Sequence, residues 1–287
     1  MHLLKRQEDR SVRPAHLAVA DVTTISDQEF LQFQRLLREL AGISLAPVKK
    51  ALVCGRLGRR LKHYRMGSYG EYFRYLTSAE GRGELQTAID LLTTNETYFF
   101  REPRHFEFLR DQVLPARRPG TPFRVWSAAC SSGEEPYSIA MVLADRLGGA
   151  PWEVLGSDLS TRVLEKARSG QYPMERARTI PEDYLKRFCL KGIGTQAGTF
   201  LIDRTLRNRV RFQQINLNAS LPRLGEFDVI FLRNVMIYFD IATKRQVVGR
   251  LLPFLKPGGY FLVGHSESLN GITEELAVMS PSIYRKP

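Results

Sequence analysis

The stretch VWSAACSSGEEPYS, Val125 to Ser138, carries an apolar run into small residues, a glycine and then two carboxylates, Glu134 and Glu135. An apolar strand, a small-residue turn and a helix form the usual entrance to a nucleotide-binding α/β domain. A phosphate-cradling turn wants glycines, backbone N–H groups and positive charge. This turn supplies acid. Ala128 and its small neighbours let a ligand lie close to the backbone, while the glutamates would repel a pyrophosphate and tolerate a ligand that is cationic or rich in hydroxyl donors. S-adenosylmethionine fits that description, with a sulfonium, an ammonium, a ribose diol and no phosphate. Alternatively, either glutamate serves only the first turn of its helix, where negative charge is favoured.

Other residues gather at later strand ends. Asp158 closes WEVLGSD, where an acid after the second strand suits two ribose hydroxyls or caps the next helix. Asn216 and Leu217 end FQQINL, a carboxamide beside an apolar side chain that could read and cover an adenine. Arg233 and Asn234 follow the apolar run VIFL, with Tyr238 close behind, and burying them unpaired would be costly. Upstream, TTNETYFFREP mixes Asn95, Thr97 and Arg101 with three aromatic residues. It reads either as a lid over the ligand or as an aromatic anchor between two domains.

These residues need elements to hold them. Ser26 with Glu29 three residues later predicts a capped helix that Gly42 ends. A second helix is expected over 48–65, and SYGEYFRYL and GELQTAIDLLTT give two more. The expected organisation is a flexible leader over 1–22, a helical bundle over 23–92, a linker or lid over 93–119 and an α/β domain over 120–287. In the last, strands and helices alternate, which argues for a doubly wound, mostly parallel sheet. Glycines and short β-prone runs over 181–212 predict a small antiparallel subdomain inserted in it.

The second helix carries Arg56, Arg59, Arg60 and His63 on one face, and 49–65 contains no acid. That face reads as solvated surface or as a docking surface. The formal net charge of +12 points to an anionic partner: nucleic acid, an acidic membrane surface or an acidic protein. The N-terminus does not read as a signal peptide, and no apolar run is long enough to cross a membrane. Three scattered cysteines without a CxxC pair, and histidines without ligand spacing, predict neither a disulfide framework nor a metal site. A reducing cytoplasm is the expected compartment.

TNETYFFRE, WSAACSSGEEPYSIA, LGSDLS, QINL, FLRNVMIYF and LKPGGYFLVGHSESL resemble, in this order, the CheR family of chemotaxis receptor methyltransferases. The resemblance runs from about residue 25 to the end. It implies an N-terminal helical domain, then a Rossmann-like methyltransferase domain with a small antiparallel β-subdomain. It implies methyl transfer from S-adenosylmethionine to glutamate carboxylates on the cytoplasmic domains of chemoreceptors, leaving S-adenosylhomocysteine and glutamate methyl esters. By that resemblance Asn95, Thr97, Arg101, Ala128, Glu134, Asp158, Asn216, Leu217, Arg233 and Asn234 contact the cofactor, with Glu135 as the other candidate carboxylate. Arg101 and Tyr238 lie near the methyl and the incoming acid. The basic helix resembles a receptor-docking surface. Gly192, Gly194 and Gly198 resemble the loop of members that bind a C-terminal pentapeptide tether on the receptor. The expected enzyme is a monomer without nucleic-acid partner or membrane insertion. A nucleic-acid amino-methylase is disfavoured because no Pro-Pro pair follows the strand before Asn234, and a cytosine-C5 enzyme because no cysteine follows a proline. A non-catalytic S-adenosylmethionine sensor is the remaining rival.

Overall fold

Ser26 opens the first helix through a reciprocal pair of bonds. Its hydroxyl accepts from the Glu29 amide at 3.2 Å, and its own amide donates to the Glu29 carboxylate at 2.9 Å. In the computed structural model, which describes residues 24–287, this helix is α1, Asp27–Ala41. It ends at Gly42 in the left-handed conformation, φ +71°, as Gly at that position allows. The leader assigned to 1–22 lies outside the described residues. Helices α2 (Lys50–Tyr64), α3 (Tyr69–Leu76) and α4 (Arg82–Leu92) complete the bundle. Phe33, Leu37, Val53, Leu57, Tyr72 and Leu76 fill its core.

The bundle also buries a charge. Glu84 is 5% exposed and takes a bidentate bond from Arg60, both arms at 2.6 Å. Tyr72 and Tyr64 donate to the same carboxylate at 2.5 and 3.1 Å. Four donors on two oxygens satisfy the group that burial would otherwise penalise.

The segment 93–119 is an anchor rather than a free lid. Phe99 and Phe100 are buried in the core of the following domain. Helix α5 (Arg104–Phe108) runs into a wider turn, Leu109–Val113, that packs Leu109 and Val113 into the same core.

The α/β domain is built on strands β1 (Phe123–Ser127), β2 (Trp152–Asp158), β3 (Gln171–Pro173), β4 (Cys189–Lys191), β5 (Thr199–Ile202), β6 (Val210–Gln214), β7 (Phe227–Leu232), β8 (Leu255–Val263), β9 (Ala277–Ser280) and β10 (Ile283–Arg285). Among the described residues, seven of these form one sheet in the order β6-β2-β1-β7-β8-β10-β9. The first five are parallel; β10 and β9 add an antiparallel edge. That C-terminal hairpin was not foreseen, because Ala277–Met279 is exposed and shows no apolar alternation.

Period-two alternation divides the sheet's side chains between two cores. Val125, Phe231 and Leu262 face one side with α6 (Glu134–Leu147); Trp126, Ile230 and Phe261 face the other with the helix Ile241–Leu251. Helix α7 (Thr161–Ser169) follows β2. Strands β3, β5 and β4 make a separate antiparallel sheet in the order β3-β5-β4. The inserted subdomain therefore spans 171–202, not 181–212. Its first strand, QYP, is too short for a periodic signal, and Val210–Phe212 belong to the main sheet beside β2.

The bundle is bonded to the sheet. The Ser44 amide donates to the Tyr238 carbonyl at 2.8 Å, and Arg38 pairs with Asp240 at 2.8 Å. Asp90 accepts from the Thr161 amide and hydroxyl at 3.1 and 2.7 Å.

Candidate active site

In an open α/β sheet the ligand crevice lies at the carboxyl ends of the strands where the order reverses. Here that point falls between β1 and β7. A cavity of about 390 Å³ occupies it, roofed by the α1–α2 connection through Ile43, Leu45 and Ala46. The cavity brings together Asn95, Thr97, Arg101, Ala128, Asp158, Asn216, Leu217, Arg233, Asn234 and Tyr238. These come from five separate stretches of the sequence.

The β1–α6 turn is poorly built for phosphate. Ser131 is left-handed, φ +48°, and its amide is already given to Asp158 Oδ2 at 2.8 Å. The Gly133 amide bonds back to the Cys130 carbonyl at 3.0 Å. A pyrophosphate would meet spent amides and two carboxylates, Glu135 and Asp158. The cradle fits a nucleoside without phosphate. Cys130 is fully buried, and burial pushes its thiol well above the usual range, so the turn holds no thiolate nucleophile.

Asp158 stands at the end of β2. Its Oδ1 accepts from the Ser160 amide at 3.0 Å. The next helix is capped by the Ser160 hydroxyl, leaving Asp158 to face the cavity. Burial raises its pKa, against the opposing pull of the Ser160 and Ser131 amides.

Of the two glutamates, Glu135 lines the cavity and Glu134 does not. This corrects the assignment of Glu134. Successive helix residues differ by about 100° in direction. Glu134 turns behind the turn, 1% exposed, where Ser132 Oγ donates to it at 2.7 Å and Arg176 lies 3.7 Å away. Burial raises its pKa more than those partners lower it. Glu135 accepts from Ser127 Oγ and from Arg233 Nη1, both at 2.7 Å.

Arg233 is therefore compensated. Its second arm donates to the Arg101 carbonyl and, at 2.9 Å, to Glu102. Glu102 also accepts from Asn234 Nδ2 at 3.2 Å. Burial would raise the Glu102 pKa, but the Arg233 charge and these bonds outweigh it and lower the value to about 2. Burial, aided by Arg233, drops neighbouring His105 to about 3 and keeps it neutral. Asn234 is left-handed, φ +57°, a conformation its short polar side chain tolerates. The Glu267 carboxylate holds it there, accepting its amide at 2.7 Å and those of Gly264 and Ile237 at 2.7 and 3.2 Å. Glu102 and Glu267 were not singled out in the sequence. Their only signal is an acid beside an assigned arginine in FFRE and a lone acid in GHSES.

Two other expectations change. The Asn216 carboxamide does not point a free edge at an adenine. Its Nδ2 donates to the Leu40 carbonyl at 2.5 Å and its Oδ1 accepts from the Asn218 amide at 2.9 Å. Asn216 lines the cavity while tying the bundle to the sheet. On α2, Arg56 donates to the Leu92 and Thr93 carbonyls at 2.9 and 3.0 Å, and Arg60 is held by Glu84. Only Arg59 and His63 of that quartet are exposed. In the inserted sheet, Gly192 sits where a Cβ would lie 2.0 Å from the Gln196 carbonyl oxygen, while Gly194 and Gly198 are left-handed at φ +56° and +84°.

Arg101 donates to the Glu96 carbonyl at 3.0 Å and lies 5.8 Å from the Tyr98 ring centroid, on the cavity wall. Tyr238 is half-buried on the same wall, in the turn Met236–Tyr238.

A parallel sheet with this strand order, an acid after its second strand and a phosphate-averse first turn define an S-adenosylmethionine-dependent methyltransferase. The family described as CheR methyltransferase, SAM binding domain, matches residues 95–284, and CheR methyltransferase, all-alpha domain, matches residues 28–93. The chain belongs to the CheR methyltransferase family. It is 43% identical to a chemotaxis protein methyltransferase of Escherichia coli over 93% of this chain and 94% of that one. It is 44% identical to chemotaxis protein methyltransferase 2 of Pseudomonas aeruginosa over 90% of this chain and 92% of that one. A chemotaxis protein methyltransferase of Borreliella burgdorferi is 36% identical over 91% of this chain and 95% of that one.

Proposed function

We propose that this enzyme methylates glutamate side chains on the cytoplasmic domains of chemoreceptors, forming glutamate methyl esters. The observation that carries the reading is the cavity at the β1–β7 switch point, where Asp158 and Glu135 stand beside Arg101 and Tyr238. S-adenosylmethionine, when bound, supplies an activated methyl and its own leaving group. Asp158 holds the ribose hydroxyls, Leu217 covers the adenine beside the Asn216 backbone, and Asn95, Thr97, Ala128, Glu135, Arg233 and Asn234 enclose the rest.

A glutamate carboxylate is ionised at neutral pH, so the enzyme need not remove a proton. Its task is to aim one carboxylate oxygen. Arg101 orients the incoming anion, and Tyr238 steadies it with its hydroxyl. Neither grips hard, because a tight hold on the reactant would slow transfer. Arg59 and His63 on α2 are exposed and meet the receptor. The edge strand β4, with Leu190 and the neighbouring Ile193 54% and 82% exposed, supports a second contact in which a receptor's C-terminal pentapeptide adds a strand. The enzyme works as a monomer in the cytoplasm. Among the described residues no helix is long and apolar enough to cross a membrane.

The test uses methyl-labelled S-adenosylmethionine with receptor cytoplasmic fragments, and with RNA and DNA in parallel. Volatile label released from protein by mild alkali is the expected result. Alkali-stable label, or label on nucleic acid, overturns the reading. Arg101→Ala is expected to lose roughly 10²-fold in turnover at saturating cofactor, the scale of a misplaced reactant. Wild-type turnover in that variant removes Arg101 from the mechanism.

A further inference from the structure

Glu102 faces two imidazoles as well as Arg233. One ligand atom each from Glu102, His105 and His265 lies within 4.8 Å of the others. His105 is 1% exposed, and its Nε2 is 2.8 Å from Ser282 Oγ. The Ser282 hydroxyl also lies 2.6 Å from the Pro281 carbonyl. When the hydroxyl donates there, Nε2 donates to it in turn, and Nδ1 of that neutral tautomer presents a lone pair. Among the described residues Nδ1 has no hydrogen-bond partner, and it faces Glu102 Oε2 at 3.5 Å. In that tautomer two acceptors face each other across 3.5 Å.

A cation relieves that opposition. Ligands about 2.1 Å from a tetrahedral zinc stand roughly 3.4 Å apart, close to the observed separation of 3.5 Å. His265 is exposed, with its ring centroid 5.0 Å from that of His105, and supplies a third ligand from the solvent side. The Ser282 bond to Nε2 is the outer contact that fixes a ligand histidine's tautomer. Two imidazoles and one carboxylate select zinc or a similar transition ion over magnesium or calcium.

We propose that Glu102, His105 and His265 form a zinc-type cation site, and that filling it restrains methyl transfer. Restraint follows from shared ligands. Glu102 also holds Arg233 and Asn234 at 2.9 and 3.2 Å, so a cation that claims this carboxylate loosens two cavity residues. The nearby guanidinium repels the ion. Binding is thus weaker than at a dedicated structural zinc centre and readily reversed. The regulatory half rests on the methyltransferase reading; the binding half does not.

The test is calorimetric titration of the EDTA-treated full chain with Zn²⁺, with Co²⁺ absorption as a spectroscopic probe of the ligand set and Mg²⁺ as a control. One Zn²⁺ per chain is expected, weakened at least tenfold in His265→Ala. Zn²⁺ should inhibit methyl transfer by the wild type, with His265→Ala keeping basal turnover and losing the sensitivity. Absence of saturable one-to-one binding overturns the site. So does binding unchanged in His265→Ala. Binding without inhibition overturns the coupling to Arg233. Calorimetry reads the site even if no acceptor is methylated.

Discussion

Asp158 Oδ2 takes the Ser131 amide and Oδ1 the Ser160 amide, which fixes the carboxylate plane before any ligand arrives. Remaining lone pairs on both oxygens are then aimed, and a diol needs two aimed acceptors. Replacing Asp158 by Asn keeps the shape, removes the charge and sets an NH₂ against one of those amides. Hydrogen bonds to charged groups are worth about 1.5–3 kcal/mol each. Asp158→Asn should therefore bind S-adenosylhomocysteine roughly 10–100-fold more weakly by calorimetry. A dissociation constant within twofold of the wild type would take the ribose away from Asp158. Glu84 makes the matching statement about stability. Burial raises its pKa, but the Arg60 bonds and the Tyr72 hydroxyl outweigh that and leave it lowered. A carboxylate lowered on folding stabilises the fold above its unfolded pKa, and that stability is lost as pH falls through the folded value. The loss should begin near pH 4.3, about where an unperturbed glutamate titrates. Glu84→Gln should cost roughly 2–4 kcal/mol at pH 7, because it strands Arg60. It should also flatten the acid limb of urea stability against pH. An unchanged acid limb would assign the pH dependence to other carboxylates.

At the scale of elements, the β1–α6 turn shows how little space the site leaves. Gly133 adopts φ +93°, and a Cβ there would lie 2.7 Å from that of Ala167 on α7. Gly133→Ala should cost about 1–3 kcal/mol of backbone strain and weaken cofactor binding as well, because the turn must shift. Loss of stability in thermal melts with cofactor affinity intact would show that the turn relaxes elsewhere. Elements with a local period were legible in sequence: the helix between Ser26 and Gly42 and the apolar strands β1, β2 and β7 stood where their pattern placed them. The failures share one cause, partners distant in the chain. Arg56 and Arg60 look like a solvated face until Leu92, Thr93 and Glu84 arrive from α4 and its end. The choice between Glu134 and Glu135 turns on one helical step. Asn216 reads as an adenine reader until Leu40 brings its carbonyl.

The molecule as a whole closes its cavity with both domains. Ile43, Leu45 and Leu52 of the bundle share the lining with Ala128, Asp158 and Leu217 of the sheet domain. Cofactor should therefore stabilise both together. At 100 times its dissociation constant it adds about 2.7 kcal/mol, which raises a single calorimetric transition by about 4–5 °C. Two transitions, only one of them shifted, would show that the bundle does not share in binding.

Arg56 reaches from α2 to the Leu92 and Thr93 carbonyls, and Thr93 and Thr94 form part of the cavity wall. Under the proposed docking, α2 is thus fastened to the wall of the cofactor cavity. A docked receptor should lengthen the residence time of the nucleoside, and a bound nucleoside should slow the receptor's departure. The gain in equilibrium affinity is the same in both directions, since coupling between two binding free energies is reciprocal. In stopped-flow release experiments the exchange of product for fresh cofactor would then set the pace at which the enzyme moves from one receptor to the next.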